Sequence, residues 1–403
     1  MTPGVRSVVP GDGRRRRRAL LLVACGLFLI AASIHLAIKY RSVRSQHDSR
    51  ELATNGLLFD NVLGPCAINF YGLPRSFRDL VLPSILQNVV RPNMFRQCDF
   101  YIHYHSIDGR EPPGRDGRGG IVHADEILLL KERIHELIPN VRVEFSNSTD
   151  DDFWQERGAL LEEIHSVRDA EGQLLYMPVN HPSYTNATVD NVIKMWHGQQ
   201  AVWNLMESSG NHYSRVAMLR CDVVYVTPID IYSLPTEVTG RNPFGSLFWR
   251  SSTTRRLDTK NEFAVIPDFA NHPVNDRLIY GPYDAVRVWA SSRFDLLQAH
   301  IQYVQKHKPG DGIHSERYLA YTVFPAITIN VGVSILPDSS ICFLRARSDR
   351  SLRFDDCDGR NSLYSSSEEQ NKIQIEKMLN TKCRKTVNGK LVHLDCETPH
   401  VVQ

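Results

Sequence analysis

The chain lacks most of the short motifs that announce nucleotide or hydrolytic chemistry. Neither G-x-G-x-x-G nor G-x-x-x-x-G-K-[ST] occurs in its 403 residues, which disfavours a Rossmann dehydrogenase and a P-loop NTPase. G-x-S-x-G and H-E-x-x-H are missing too, and with them the commonest hydrolase and zinc-protease arrangements. Eight cysteines are too few for a scaffold built of disulfides, and no C-x-x-C or Cys/His spacing suggests structural zinc. Excess charge is scarce as well. The 47 Lys and Arg nearly balance 45 Asp and Glu, and ten of those bases lie in the first 50 residues against two acids. The remaining chain is therefore mildly acidic, which argues against a nucleic-acid-binding body. No internal repeat is visible. At 42% hydrophobic and 23% charged, the composition is that of a globular protein with an ordinary core.

What is present begins with an unbroken run of five arginines at 14–18, followed by an apolar stretch at 19–38. Twenty residues at 1.5 Å rise match a hydrocarbon core of ~30 Å. Lys39, Tyr40 and Arg41 follow where a small-residue cleavage site would close a signal peptide. The reading is an uncleaved anchor at 19–38 behind a cytosolic tail at 1–18, with a polar stem at 39–59. By the positive-inside rule the rest would lie in the secretory lumen. Sequons at Asn147 and Asn186 are compatible with that compartment. Seven cysteines lie past the apolar stretch, and Cys342, Cys357, Cys383 and Cys396 gather near the C-terminus, where they are candidates for pairing.

From residue 60 to 347, short apolar runs alternate with helical patterns, which predicts one α/β domain. Strands are expected at 67–71, 99–105, 141–145, 215–225, 245–249, 263–267 and 326–331. Helices are expected at 77–89, kinked or begun at Pro83, and at 127–138, 192–206, 282–290, 294–305 and 315–324. The acidic, poorly patterned stretch 146–190 reads as a long connection over a site. Residues 348–403 form a polar extension with a helix near 367–379 and a hairpin at 385–394 turning on Asn388-Gly389.

The segment 216–230, VAMLRCDVVYVTPID, places Arg220 and Asp222 on one side of a buried strand. Charges buried there need partners. In an open α/β sheet such an Asp is presented at the carboxyl edge, where ligands gather. A structural Asp–Arg ion pair is the alternative. His314 and Glu316 open an amphipathic helix at a position that capping alone would also fill. Asn275 and Asp276 lie in a polar loop ahead of a helix, where capping again competes with ligand binding. Asn69 to Arg75 (NFYGLPR) ends a first strand, where Gly72 would admit a close backbone approach and Arg75 would meet phosphate.

LRCD followed by VVYVTPID resembles the DxD segment of membrane-anchored glycosyltransferases with the GT-A fold. NDRLIYG at 275–281, His314-Ser315-Glu316 and LRAR at 344–347 resemble later segments of that group, in the same order. The resemblance spans about residues 65–347. It implies a GT-A-like, Rossmann-related α/β domain with a mixed central sheet behind one transmembrane helix, in a single-pass type II protein of the Golgi membrane. It further implies a nucleotide-sugar donor, a glycan or glycoprotein acceptor, and Mn²⁺ or Mg²⁺ held by Asp222 with His314. Asn69, Gly72, Arg75, Arg220 and Asn275 would bind the nucleotide or sugar, and Asp276 and Glu316 would be catalytic. The first acidic position of the motif is Arg220, so one metal ligand of the pattern is replaced by a cation. Two rivals stand beside the transferase. One is a luminal sugar-phosphate transferase or nucleotide-sugar hydrolase, and the other is a catalytically silent, membrane-anchored scaffold.

Overall fold

A computed structural model describes residues 64–393 except 108, 115–116, 179–183, 234–262, 355–356, 358–363, 383 and 388–389. Its centre is a seven-stranded sheet. The first strand, β1, is Cys66–Gly72, and β2 (Asp99–His105) pairs with it in parallel, Ala67 opposite Asp99. The sheet continues on one side to β5 (Val143–Ser148), and on the other to β6 (Arg215–Arg220), both parallel. Beyond β6 lie β9 (Ile279–Pro282), β8 (Phe263–Pro267) and β10 (Ser334–Asp338), in the order β10-β8-β9-β6-β1-β2-β5. Of these strands β9 alone runs antiparallel to its neighbours. Six strands thus send their carboxyl ends to one edge.

Alternation along β1 shows how the sheet divides the core. Cys66, Ile68 and Phe70 pack on one face with Phe77, Val81, Ile85 and Ile134, while Ala67 and Tyr71 pack on the other with Trp196, Trp289 and Tyr318. Both faces are covered, as parallel strands require. A second sheet of four short strands leaves the first at the end of β6. There β7 (Val223–Tyr225) pairs with β11 (Phe343–Ala346), which pairs with β12 (Leu352–Arg353) and then β13 (Tyr364–Ser365).

Several elements differ from the sequence reading for identifiable reasons. The run 215–225 is two strands, because the chain changes sheets at Cys221 and Asp222. The expected connection at 146–190 contains a helix, α3 (Asp150–Ser166), the third after α1 (77–96) and α2 (Leu129–Leu137). Thr149 caps it reciprocally with Asp152, and three aspartates in its first turn suit the helix dipole. Its buried apolar residues are few, so no stripe marked it. The 326–331 run is helical, not a strand. It completes a continuous helix over 315–331 that stops at Gly332, and β10 follows.

Pro325 is tolerated there as Pro83 and Pro92 are in α1, each just after a π turn. The wider i→i+5 turn relieves the clash and the lost N–H that an internal proline imposes on an α turn. NDRLIYG leads into β9 before the helix Tyr283–Ser291, so a strand separates Asn275 and Asp276 from that helix. The expected strand at 245–249 lies outside the described residues.

Expectation of a membrane helix ahead of this domain, and of the Golgi membrane location that rested on it, is corrected here. Among the described residues no helix is long and apolar enough to cross a membrane. The helix Asn186–Ser208 has the length, at 23 residues, but it is amphipathic. Val189, Ile193, Trp196 and Val202 face the core, while Asn191, Asn204 and Glu207 are exposed. The apolar stretch 19–38 itself lies outside the described residues.

Among the described residues two disulfides fasten strand ends. Cys66–Cys98 joins the start of β1 to the residue before β2, and Cys342–Cys357 joins the start of β11 to the segment after β12. Cys221 is a free, buried thiol that burial pushes above its ordinary pKa, so it is unreactive.

Gly281 explains one glycine of NDRLIYG. A Cβ there would come within 2.7 Å of the Ala264 Cα on β8. Gly281→Ala should therefore cost about 1–3 kcal/mol in chemical denaturation. A cost under about 0.5 kcal/mol would mean that β8 and β9 part freely.

Candidate functional site

The carboxyl edge of β1 and β6 is where the two sheets diverge. Gly72 turns β1 into the following loop with φ of 123°, a conformation that a residue with a Cβ rarely adopts. The Cys221 N–H donates to the Tyr71 carbonyl at 3.0 Å, and the Ala346 N–H donates to the Asp222 carbonyl at 3.0 Å. The crossing residues are thus hydrogen-bonded to both sheets, which fixes Asp222 under the end of β1. Its side chain is 1% exposed.

Both carboxylate oxygens of Asp222 are engaged by arginine. Arg220 donates from Nε to Oδ1 and from Nη2 to Oδ2, each at 2.7 Å, and Arg75 donates from Nη1 to Oδ2 at 2.5 Å. Burial would push the Asp222 carboxyl up, but Arg220, then Arg75 and Arg347, hold it well below the usual range. The other edge of Arg75 grips Glu111, with Nε to Oε2 at 2.8 Å, and Ser348 donates to the same carboxylate at 2.8 Å. Glu111 comes from the short pairing of β3 (Arg110–Glu111) with β4 (Gly120–Ile121). Arg220 retains one unspent edge, for its Nη1 meets only the Met195 sulfur, at 3.9 Å.

A second group lies beside the first. Because β9 pairs antiparallel with β6, Met218 opposite Ile279, the residues just before Ile279 return to the edge next to Arg220. The Tyr71 hydroxyl donates to the Arg277 carbonyl at 2.9 Å and ties this loop to β1. Asn275 shapes the loop, donating to the Phe269 carbonyl and accepting from the Arg277 N–H, both at 2.9 Å. Asp276 is buried, and its charge acts on Arg220, Arg293 and Glu316.

Burial, and then the Asp276 carboxylate, push Glu316 up to about 8. Burial, and then Arg317, push His314 down to about 4. The Nδ1 of His314 lies 3.2 Å from Glu316 Oε2, so near neutral pH this is a contact between a neutral imidazole and a largely protonated carboxyl. Arg293 sits wholly buried beneath them. It stacks on Trp289, and its Nη atoms make no hydrogen bond among the described residues. Burial lowers it to about 10, against the opposing pull of Asp276.

Of the residues singled out from sequence, Gly72, Arg75, Arg220 and Asp222 come together at this edge, and Asp276, His314 and Glu316 form the adjoining group. Asn69 does not join them. It points into the core, with its amide nitrogen 3.3 Å from the Met206 sulfur and 3.5 Å from that of Met218. Asn275 is spent on its own loop. Glu111, Tyr71 and Arg293 escaped the sequence reading. Glu111 stands alone in a Gly/Pro/Arg-rich stretch, and the other two look like ordinary core or surface positions. A pocket between α1 and α2, lined by Leu82, Leu86 and Leu129, includes none of these groups.

The divalent cation that the resemblance implies does not fit this arrangement. A hard cation needs free carboxylate oxygens, and those of Asp222 are taken by two guanidinium groups. Among the described residues, no three His, Cys, Asp or Glu side chains gather into a ligand set. His314 faces Glu316 instead of completing a site with Asp222.

No protein-family profile matches the chain, and no curated protein sequence does. Among solved structures it is similar to mouse xyloside xylosyltransferase 1 in its apo form, with a TM-score of 0.29 and 13% identity. That match covers 67% of this chain and 83% of the other. At such a TM-score the likeness carries no functional information.

The raised pKa of Glu316 has a consequence for stability. Its folded value of about 8 exceeds the ordinary 4.5, so between them the native state keeps a proton that the unfolded chain has released. Stability therefore falls as pH rises through that window. Glu316→Gln removes the fall. Its melting temperature should approach that of wild type near about pH 4.5 and exceed it by a growing margin toward about pH 9. A difference that stays constant across this range would show that the carboxyl is not buried beside Asp276.

Proposed function

We propose that the chain is a glycosyltransferase that moves a sugar from a nucleoside-diphosphate donor to a hydroxyl of a glycan or glycoprotein. The observation that carries this reading is the juxtaposition, at one sheet edge, of the arginine cluster around Asp222 with the carboxyl pair of Asp276 and Glu316. In such a transfer the acceptor oxygen bonds to the anomeric carbon as the bond from that carbon to the phosphate oxygen breaks. The diphosphate leaves with the electron pair, and the acceptor hydroxyl gives up its proton.

Each half of the site suits one of these demands. Guanidinium groups fixed before the reaction stabilise the charge that develops on the leaving diphosphate, with no reorganisation at the moment of bond cleavage. A carboxyl raised toward neutrality is a stronger base than an ordinary one, and its ionised fraction, which grows as pH approaches its pKa, is suited to take the acceptor proton. Glu316 is that group in this reading. Asp276, whose charge reaches Arg220, contacts the donor sugar.

Capping or folding roles predict different outcomes from these, and the variants separate them. Glu316→Gln should lower turnover by about 10²–10⁴ with donor affinity nearly unchanged. Asp276→Asn should mainly weaken donor binding. Turnover of a radiolabelled nucleotide sugar, donor Kd and melting temperature are to be measured on the same preparations. Wild-type turnover in both variants, with only a softened fold, would remove both from the chemistry. Absence of transfer with any donor and acceptor would favour a silent scaffold.

A further inference from the structure

The replacement of a metal ligand by Arg220 raises the question of what neutralises the diphosphate. Asp222 offers a cation no free oxygen, since Arg220 holds it through two parallel hydrogen bonds and Arg75 adds a third. Arg347 also acts on it from the end of β11. Arg75 and Arg220 clasp the Asp222 carboxylate from two sides, and Glu111 holds the other edge of Arg75, so both guanidinium groups are fixed without any ion. The bidentate pair fixes the guanidinium plane of Arg220, and its Nη1 edge, whose hydrogen-bond contact among the described residues is a thioether sulfur, faces away from Asp222 and is offered to an anion. Planar guanidinium groups bind phosphate oxygens in pairs, which a point charge does not.

From this geometry we infer that the site binds its nucleoside diphosphate without a divalent cation, with Arg220 supplying the contact and Asp222 acting as the anchor that orients it. The inference rests on the transferase reading above. Asp222 is then a positioning residue and not a metal ligand, and the guanidinium of Arg220 supplies the positive charge that a metal ion would otherwise bring.

The test uses the full chain and four probes, UDP, GDP, CDP and ADP, in thermal shift and calorimetric titrations. Each is run with EDTA and again with Mn²⁺ or Mg²⁺. At least one probe should bind in EDTA with a Kd that added metal does not improve. Arg220→Gln should weaken that binding by about 10- to 100-fold, as expected for loss of charged hydrogen bonds to phosphate. Arg220→Lys keeps the charge but loses the fork, and it should recover little of the affinity. Should Arg220→Gln fail to fold, the Lys variant and the EDTA comparison still decide.

Binding that appears only with metal would overturn the inference and leave the transferase reading standing. Binding in EDTA that survives both substitutions unchanged would remove Arg220 from the contact and overturn it as well. No binding by any probe in either buffer would overturn the inference together with the reading on which it rests.

Discussion

Asp222 under the end of β1, held by two arginines, is the constraint from which the rest of the site follows. Its carboxylate is buried, and an isolated charge at that depth would be untenable. The two guanidinium groups make it stable, and in doing so they are themselves fixed, Arg220 from the end of β6 and Arg75 from the loop after β1. Arg75 in turn holds Glu111, which is bonded by Ser348, so one buried carboxylate organises side chains from four separate stretches of chain. Replacing one member would leave another charge uncompensated. A cluster of this kind contributes definite geometry more surely than it contributes stability.

The antiparallel strand β9 brings the second half of the site to the first. Had it run parallel, like its neighbours, the residues before Ile279 would lie at the opposite edge of the sheet. Its reversal returns Asp276 to the side of Arg220, and Tyr71 bonds the loop to β1 so that the position is held. Gly281 permits the close approach of β8 to β9 on which this path depends. The glycine of NDRLIYG therefore serves the fold, while the aspartate stands at the sheet edge beside Arg220. Sequence motifs of this length often combine such roles, and they separate only once the strand pairing is known.

Several strands were legible in the sequence as short apolar runs or as alternation bounded by turn residues. Those at 99–105 and 263–267 fall where the pattern places them. Amphipathic helices were legible from their period, as in 192–206, which the structure extends to Asn186–Ser208. The failures have physical causes. The break at Cys221 and Asp222 is invisible because both halves of 215–225 are equally apolar, and the change of sheet is fixed by partners distant in sequence. The helix α3 buries few side chains, so its signal lay in the cap at Thr149 and not in periodicity. Ile327 and Val331 are β-branched yet helical, since their packing against the core outweighs a weak local preference. At the site, the charged residues stood out because charges seldom lie in apolar strands. Glu111, Tyr71 and Arg293 gave no such contrast.

Arg293 shows how the carboxyl pair is held in a buried site. Two carboxyl groups, Asp276 and Glu316, lie close together in a buried region, and like charges there cannot both be ionised cheaply. One remedy is visible in Glu316, which keeps its proton to about 8. The other is the buried guanidinium of Arg293, whose charge acts on both carboxyls from below while its face rests on Trp289. Its own pKa is lowered to about 10 by burial, still far above neutrality, so the cation persists. The site therefore separates its charges into two compartments. One is an arginine-rich edge built on Asp222. The other is a carboxyl pair in which a proton on Glu316 and the fixed charge of Arg293 together offset the repulsion that burial would otherwise impose.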